Sequence, residues 1–324
     1  MKVNAHNVFI SAIVLILLLA MHFVTPSPGG LWLRTFYDST HIPIFGVIAV
    51  GVLYMTPLAW DSRQRFLVSL AVVALLAIFS ELIQVPTARN ASLGDFASDM
   101  LGGFGFMCVA MGLSRRVPVP RERRLYLVLV GMASIAFPLA PLVTVSASYV
   151  ERAQSLPSLI RFDSRYSELL FKMQTAELIK IKEPTSGKVS AAILLGDGQW
   201  PGISFPDIWP NWEAYEALSI EIENPEVTNL PISIRIHDRD HRHNQTFDDR
   251  FNRRMDLVPG RQTLQIDLRE IREAPAGRKM NMAEIDGLIL FTTRRQAGRR
   301  FVLHDLRLVE PSTLNDRDLS SSRF

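Results

Sequence analysis

The chain has 324 residues, of which 48% are hydrophobic and 21% charged, with a formal net charge of +3 and one cysteine. These averages conceal a divided chain: residues 1–148 hold 16 charged residues at a net +4, and residues 149–324 hold 51 at −1. A membrane-like half joined to a soluble-like half excludes a single globular enzyme, a disordered chain and a disulfide scaffold. Because the excess positive charge lies between hydrophobic spans, a nucleic-acid partner is excluded as well.

A helix that crosses a bilayer needs about 20 mostly apolar residues. Five segments meet or approach this: Val8–Val24, Ile42–Trp60, Phe66–Ile83, Phe96–Leu113 and Leu125–Ala147. Val8–Val24 reads as an uncleaved helix, since its apolar core is long for a signal peptide and more spans follow. Pro138 and Pro141 predict a kink in the last span. Orientation follows from the Lys/Arg bias of short loops. Residues 114–124 hold Arg115, Arg116, Arg121, Arg123 and Arg124 against Glu122 alone, which places that loop in the cytoplasm. Arg63 and Arg65 agree by alternation, and so does Lys2. The expected product is a multi-pass protein of a bacterial inner membrane, amino terminus cytoplasmic, with everything after about residue 148 periplasmic.

Ionisable groups at membrane depth are costly and mark function by default. Here they cluster near the expected outer leaflet. Asp38 and His41 precede the second span, Glu81 and Gln84 end the third, Arg89 and Ser92 fall in the next loop, and Asp95 and Asp99 lie four apart at the start of the fourth. Four carboxylates exceed what Arg89 alone can neutralise. Two readings stay open. In one, Arg89 pins a structural network. In the other, the cluster binds or reacts, with Glu81, Asp95, Asp99 and His41 as candidate acid, base or ligands, and Asp38, Gln84, Arg89 and Ser92 as candidate substrate contacts. Gly94, Ser98 and Gly102 form a small-residue stripe that lets a neighbouring helix approach closely. No metal site is assigned, the cofactor is unknown, and the oligomeric state is open.

The pattern Glu81-Leu-Ile-Gln84, Arg89-Asn-Ala-Ser92-Leu-Gly-Asp95, then Asp99, Gly102 and Gly103, preceded by Asp38-Ser-Thr-His41, resembles the VanZ-like membrane protein family over about residues 30–113. That family shows E-x-x-Q, R-x-x-S-x-x-D and often N-x-x-G, with a D-K-x-x-H element upstream. Here Asp38 and His41 stand three apart with no lysine between them, and Asp99 takes the place of the usual Asn. The resemblance implies an envelope role connected with glycopeptide (teicoplanin) resistance or exopolysaccharide.

Residues 149–185 read as a connector, with Ser164–Ile181 a polar helix or an early strand. Beyond about Ala191 the pattern has period two: Leu218, Ile220, Ile222; Ile232, Ile234, Ile236; Leu264, Ile266, Leu268; then Leu288–Phe291 and Phe301–Val309. Asn224-Pro225, Pro259-Gly260 and Ala297-Gly298 supply turns between them. Short strands at this spacing predict an antiparallel jelly-roll sandwich over 186–311, followed by a disordered tail over 312–324. Cys108 lies in the fourth span, so no disulfide can form in this domain.

Trp200, Trp209, Trp212 and Tyr215 crowd one segment and are candidate glycan contacts, because aromatic faces stack on sugar rings; Trp212 and Tyr215 read equally as anchors of a core strand, while Trp209, beside Pro210, reads as exposed. The stretch 236–250 holds His237, Asp238, Asp240, His241, His243, Asp248 and Asp249. Arg235, Arg239, Arg242 and Arg250 interleave them and oppose a tight cation cage. It reads either as a solvated hairpin with ion pairs, or as a loop for acidic or polar glycan in which Asp238, His241 and Asp248 make contacts. Asp305 late in the last strand suits a structural calcium site by type, but no matching partner is evident in the sequence. The runs Trp200-Pro-Gly202-Ile203, Ile220-Glu-Ile222-Glu-Asn224-Pro225, Ile234-Arg-Ile236-His-Asp238, Phe247-Asp-Asp-Arg250-Phe251 and Val302-Leu-His-Asp305-Leu-Arg-Leu308 resemble galactose-binding-like jelly rolls, carbohydrate-binding modules among them, over about 190–310. The resemblance implies polysaccharide or lipid-linked glycan as partner. The expectation is an envelope protein with an outward polar pocket and a glycan-recognising domain. The rivals are an integral-membrane enzyme acting on a lipid-linked substrate and a protein-docking module of an envelope assembly complex.

Overall fold

The computed structural model describes residues 29–57, 59–84, 93–114, 117, 119–183 and 187–311, with isolated positions Ala12 and Ile16. It divides into two compact units, Met1–Ser146 and Ala147–Phe324. The expected span Val8–Val24 and the expected tail 312–324 lie outside the described residues, apart from Ala12 and Ile16.

Four long helices come first in the chain: α1 (Leu31–Met55), α2 (Ser62–Gln84), α3 (Leu93–Leu113) and α4 (Arg121–Gln154), the last ending beyond the boundary at Ser146. These four are long and apolar enough to cross a membrane. Where five spans were expected, four are therefore candidates among the described residues. α1 begins eleven residues before the expected start at Ile42, so Asp38 and His41 lie inside a helix and not in a loop before it. Pro43 lies within α1 and removes one backbone donor. The Ser39 hydroxyl donates to the Thr35 carbonyl at 2.7 Å and the Thr40 hydroxyl to the Tyr37 carbonyl at 2.6 Å.

Phe45, Ala49 and Leu53 of α1, Val73 and Ala77 of α2, and Met107 and Met111 of α3 form one buried cluster. α3 approaches its neighbours through glycine. A Cβ on Gly102 would stand 2.5 Å from the Ile42 carbonyl oxygen, so α1 and α3 touch backbone to backbone there. The stripe thus serves packing at Gly102. Arg65, expected as a cytoplasmic loop charge, lies in α2 at 1% exposure. Its Nε donates to Thr56 Oγ1 at 2.9 Å and a terminal nitrogen donates to the Leu53 carbonyl at 3.0 Å, so it caps the last turn of α1.

The second unit is a sandwich of ten strands: β1 (Lys172–Gln174), β2 (Ala176–Lys182), β3 (Val189–Leu195), β4 (Gly202–Phe205), β5 (Ala217–Asn224), β6 (Leu230–Asp238), β7 (Phe251–Leu257), β8 (Gly260–Asp267), β9 (Ile285–Phe291) and β10 (Arg300–Val309). Short helices α5 (His241–Asn244) and α6 (Leu268–Arg272) follow β6 and β8. One sheet runs β2-β3-β10-β5-β8 and the other β1-β4-β9-β6-β7, with antiparallel pairing throughout. From β3 onward the pairs nest: β3 with β10, β4 with β9, β5 with β8, β6 with β7. A chain folded into a long hairpin and wound across two sheets produces this nesting, which is the jelly-roll topology. β1 and β2 add one strand to each sheet. They arise from 172–182, read from sequence as connector, and Ser158 bridges Arg307 of β10.

Period two decides the faces. In β6, Leu230, Ile232, Ile234 and Ile236 point into the core, while Pro231, Ser233, Arg235 and His237 point out. Leu218, Ile220 and Ile222 of β5 face them across the sandwich, with Phe205, Phe301 and Leu306 among the buried partners.

Candidate functional site

In the helical unit, among the described residues, the structure pairs two of the polar candidates. His41 Nδ1 and Asp99 Oδ1 lie 2.9 Å apart at 2% and 0% exposure. Gly102, one turn beyond Asp99, brings α1 close enough for the contact. The pairing holds the imidazole orientation. The His41 ring lies parallel to Phe45, with centroids 6.5 Å apart. Asp38 is exposed and Asp95 half-buried. Arg89, Ser92 and the side chains of Glu81 and Gln84 lie outside the described residues.

In the sandwich, the acidic and histidine-rich stretch folds around a residue that sequence reasoning missed. Arg278, in the loop between α6 and β9, donates to Asp238 at 2.6 and 2.8 Å and to Asp249 at 2.6 and 3.0 Å. Asp238 also accepts from the backbone N–H of Asn281 at 2.7 Å and of His241 at 3.2 Å. His241 Nδ1 lies 3.2 Å from Asp249 Oδ2. Burial by itself would raise the Asp238 carboxyl, but the Arg278 and backbone donors outweigh it and hold it below the usual carboxylate range. The Arg278 hydrogen bonds hold Asp249 below that range too. The stretch expected as a solvated hairpin is therefore a buried ion network at these positions: Asp238 is 0%, His241 1% and Asp249 5% exposed. Burial takes Asp238 and His241 out of reach of a glycan. Asp248 is exposed, and its carbonyl accepts from Ala276 at 2.7 Å.

The tryptophans separate in the same way. Trp212 has no exposed surface, and its Nε1 donates to the Trp209 carbonyl at 2.7 Å. A ring sealed in the core cannot stack on a sugar, so Trp212 is a structural anchor. Tyr215 packs half-buried against the same core, and Trp209 lies half-buried with the Arg152 guanidinium 5.7 Å from its ring. Trp200 is half exposed and meets Phe291 edge-on, with centroids 5.8 Å apart.

Of the seven glycan candidates, Trp200 alone lines the groove on the outer face of the second sheet. The groove has a volume of about 640 Å³. Cross-strand register arranges its floor in rows. One row reads Gln174, Gly202, Phe291, Ser233, Arg254 across β1, β4, β9, β6 and β7. The next reads Lys172, Ser204, Ile289, Arg235, Asn252. Gly202 is required there, because a Cβ would come within 2.1 Å of the Leu290 carbonyl oxygen. Phe247 and Arg250 close one side, with the Arg250 guanidinium 5.4 Å from the Phe247 ring centroid. Apolar rings beside hydroxyl, amide and guanidinium groups form a surface suited to polar ligands with apolar faces. Period two marks Ser233 and Arg235 as outward already in the sequence. Their meeting with Phe291 and Trp200 depends on strand order, which sequence does not display.

No family model matches the chain, and no curated protein matches it. Solved structures do. A family 11 carbohydrate-binding module from Clostridium thermocellum, in complex with a beta-1,3-1,4-mixed-linked tetrasaccharide, shares 13% identity at a TM-score of 0.35 over 47% of this chain and 94% of that one. An exo-beta-agarase shares 11% at a TM-score of 0.37, over 48% of this chain and 25% of that one. The CBM22-1–GH10 modules of a Clostridium thermocellum endo-1,4-beta-D-xylanase share 10% at 0.30, over 44% and 26%. The jelly-roll assignment rests on the nested strand pairing and not on these superpositions.

Proposed function

We propose that the chain is a multi-pass envelope membrane protein that presents a glycan-recognising jelly roll outside the cytoplasm. The groove carries this reading, above all the half-exposed Trp200 set against Phe291 and the polar floor of β6 and β7. The five arginines of residues 114–124 support the orientation, because a cytoplasmic loop before α4 puts the chain beyond α4 on the opposite side. The motif spacing over residues 30–113 supports a VanZ-like module and a role in exopolysaccharide or cell-wall polymer handling, or in glycopeptide resistance.

Two measurements test it. Alkaline phosphatase fused after residue 160 is expected to be active and after residue 118 inactive; the reverse pattern overturns the orientation. The full chain in lipid nanodiscs is expected to retain at least one polysaccharide from a panel of envelope and plant glycans. Trp200→Ala is expected to weaken that binding about tenfold, roughly 1.4 kcal/mol, with an unchanged melting transition. Failure to bind any glycan, with a protein recovered by crosslinking, would favour a docking module.

A further inference from the structure

Resting on the glycan reading, we infer that the groove takes an acidic glycan, whose rings meet Trp200 and Phe291 and whose oxyanion groups meet Arg235, Arg250 and Arg254. The charge pattern of the groove carries the inference. Four arginines line it (Arg235, Arg250, Arg253 and Arg254), and no Asp or Glu does. Arg253 is engaged by Glu270. The other three have no carboxylate within 4 Å among the described residues.

Elsewhere in the sandwich, several guanidinium groups do have such partners. Arg278 holds Asp238 and Asp249, Arg242 holds Asp286, and Arg261 holds Glu183 and Glu221. In the groove, a terminal nitrogen of Arg235 lies 3.2 Å from His241 Nε2, and its buried Nε has no hydrogen-bond partner among the described residues. Burial first, and the Arg250 charge second, push the Arg235 guanidinium down to about 10. His237, the next outward position on β6, supplies no negative charge. Its ring is pushed down to about 4, chiefly by burial and then by Arg235, and the Asp286 carboxylate that acts on it is engaged by Arg242.

Cations held together without counter-charge are unfavourable in the empty groove and are relieved by an anionic ligand. A planar guanidinium offers paired donors that match an oxyanion in two-point geometry. The aromatic pair in the same row supplies the apolar contact that a bare anion would not use.

The test uses the full chain in neutral-lipid nanodiscs and matched polymers: polygalacturonate with its carboxyl-reduced form, dextran sulfate with dextran, and poly-glutamate as a polyanion without sugar rings. At least one acidic glycan is expected to bind at least tenfold tighter than its neutral counterpart, and to weaken as salt rises. Which pair shows the difference identifies the oxyanion. Arg254→Gln and Arg235→Gln are each expected to lower that affinity about tenfold, Arg235→Lys less, with melting unchanged in Arg254→Gln. Equal affinity for acidic and neutral members overturns the acidic assignment and leaves the glycan reading standing. Poly-glutamate binding as tightly as the acidic glycan overturns the glycan reading itself. Binding to none overturns both.

Discussion

Arg278→Met is expected to cost the sandwich about 3–5 kcal/mol, the usual loss when one partner of a buried charge cluster is removed. The substitution leaves the Asp238 and Asp249 carboxylates facing each other at 0% and 7% side-chain exposure, with only the His241 ring and backbone N–H groups as donors. Arg278→Lys should lose less, since the charge persists while the two-pronged hydrogen bonding does not. The pH dependence gives the mechanism its signature. Both carboxyls are held below their usual range in the folded protein, so the stability they contribute is present above the unfolded carboxylate pKa and is lost as pH falls through the lower folded values. The difference between native protein and Arg278→Met should therefore shrink as the medium becomes acidic, because a protonated carboxyl needs no guanidinium. Thermal melting of the full chain, followed by tryptophan fluorescence from neutral pH down to about pH 3, measures it. A deficit that stays constant across that range would show that Arg278 acts through packing and not through charge.

Trp212→Ala is expected to be as damaging, about 3–5 kcal/mol, from the lost burial and the cavity left behind. Trp212 is wholly enclosed, its Nε1 donates to Trp209, and its backbone N–H donates to the Met282 carbonyl at 2.8 Å. It therefore ties the segment before β5 to the loop before β9. Melting should fall sharply, while the surviving folded fraction, assayed well below the transition, should keep the polysaccharide binding proposed for the native protein. Trp200→Ala should show the opposite pattern, weakened binding with unchanged melting. A Trp212→Ala protein that melts normally and fails to bind would return Trp212 to the ligand surface.

These two residues show where sequence reasoning ran out. Trp200 and Trp212 are twelve positions apart and chemically identical, and sequence left Trp212 open between a ligand contact and a core anchor. Their difference is a matter of which side of a sheet the chain passes on. The acids of 236–250 were legible as a charged cluster, and their interleaved arginines suggested local ion pairs. The residue that organises them, Arg278, lies 40 positions from Asp238 and 29 from Asp249, and no local pattern connects the three. Strand β7 escaped notice for a related reason. It is an edge strand carrying Arg253 and Arg254, and the charge that protects an open edge also erases the apolar alternation by which strands are recognised.

Sequence alone determined the division of the chain into an oily half and a charged half, the apolar stretches of α1 to α4, and the alternation of β5, β6, β8 and β10. These are properties of single segments, set by composition and by periods of 3.6 and 2. Tertiary structure decided everything that depends on which segments meet. The nesting of β6 between β9 and β7 gathers Phe291, Ser233 and Arg254 into one row. The glycine contact of α3 with α1 draws Asp99 to His41. Burial depends on partners distant in the chain, so whether a charge is a solvated ornament, a sealed ion pair or an unanswered cation in a groove is a property of the fold and not of the residue.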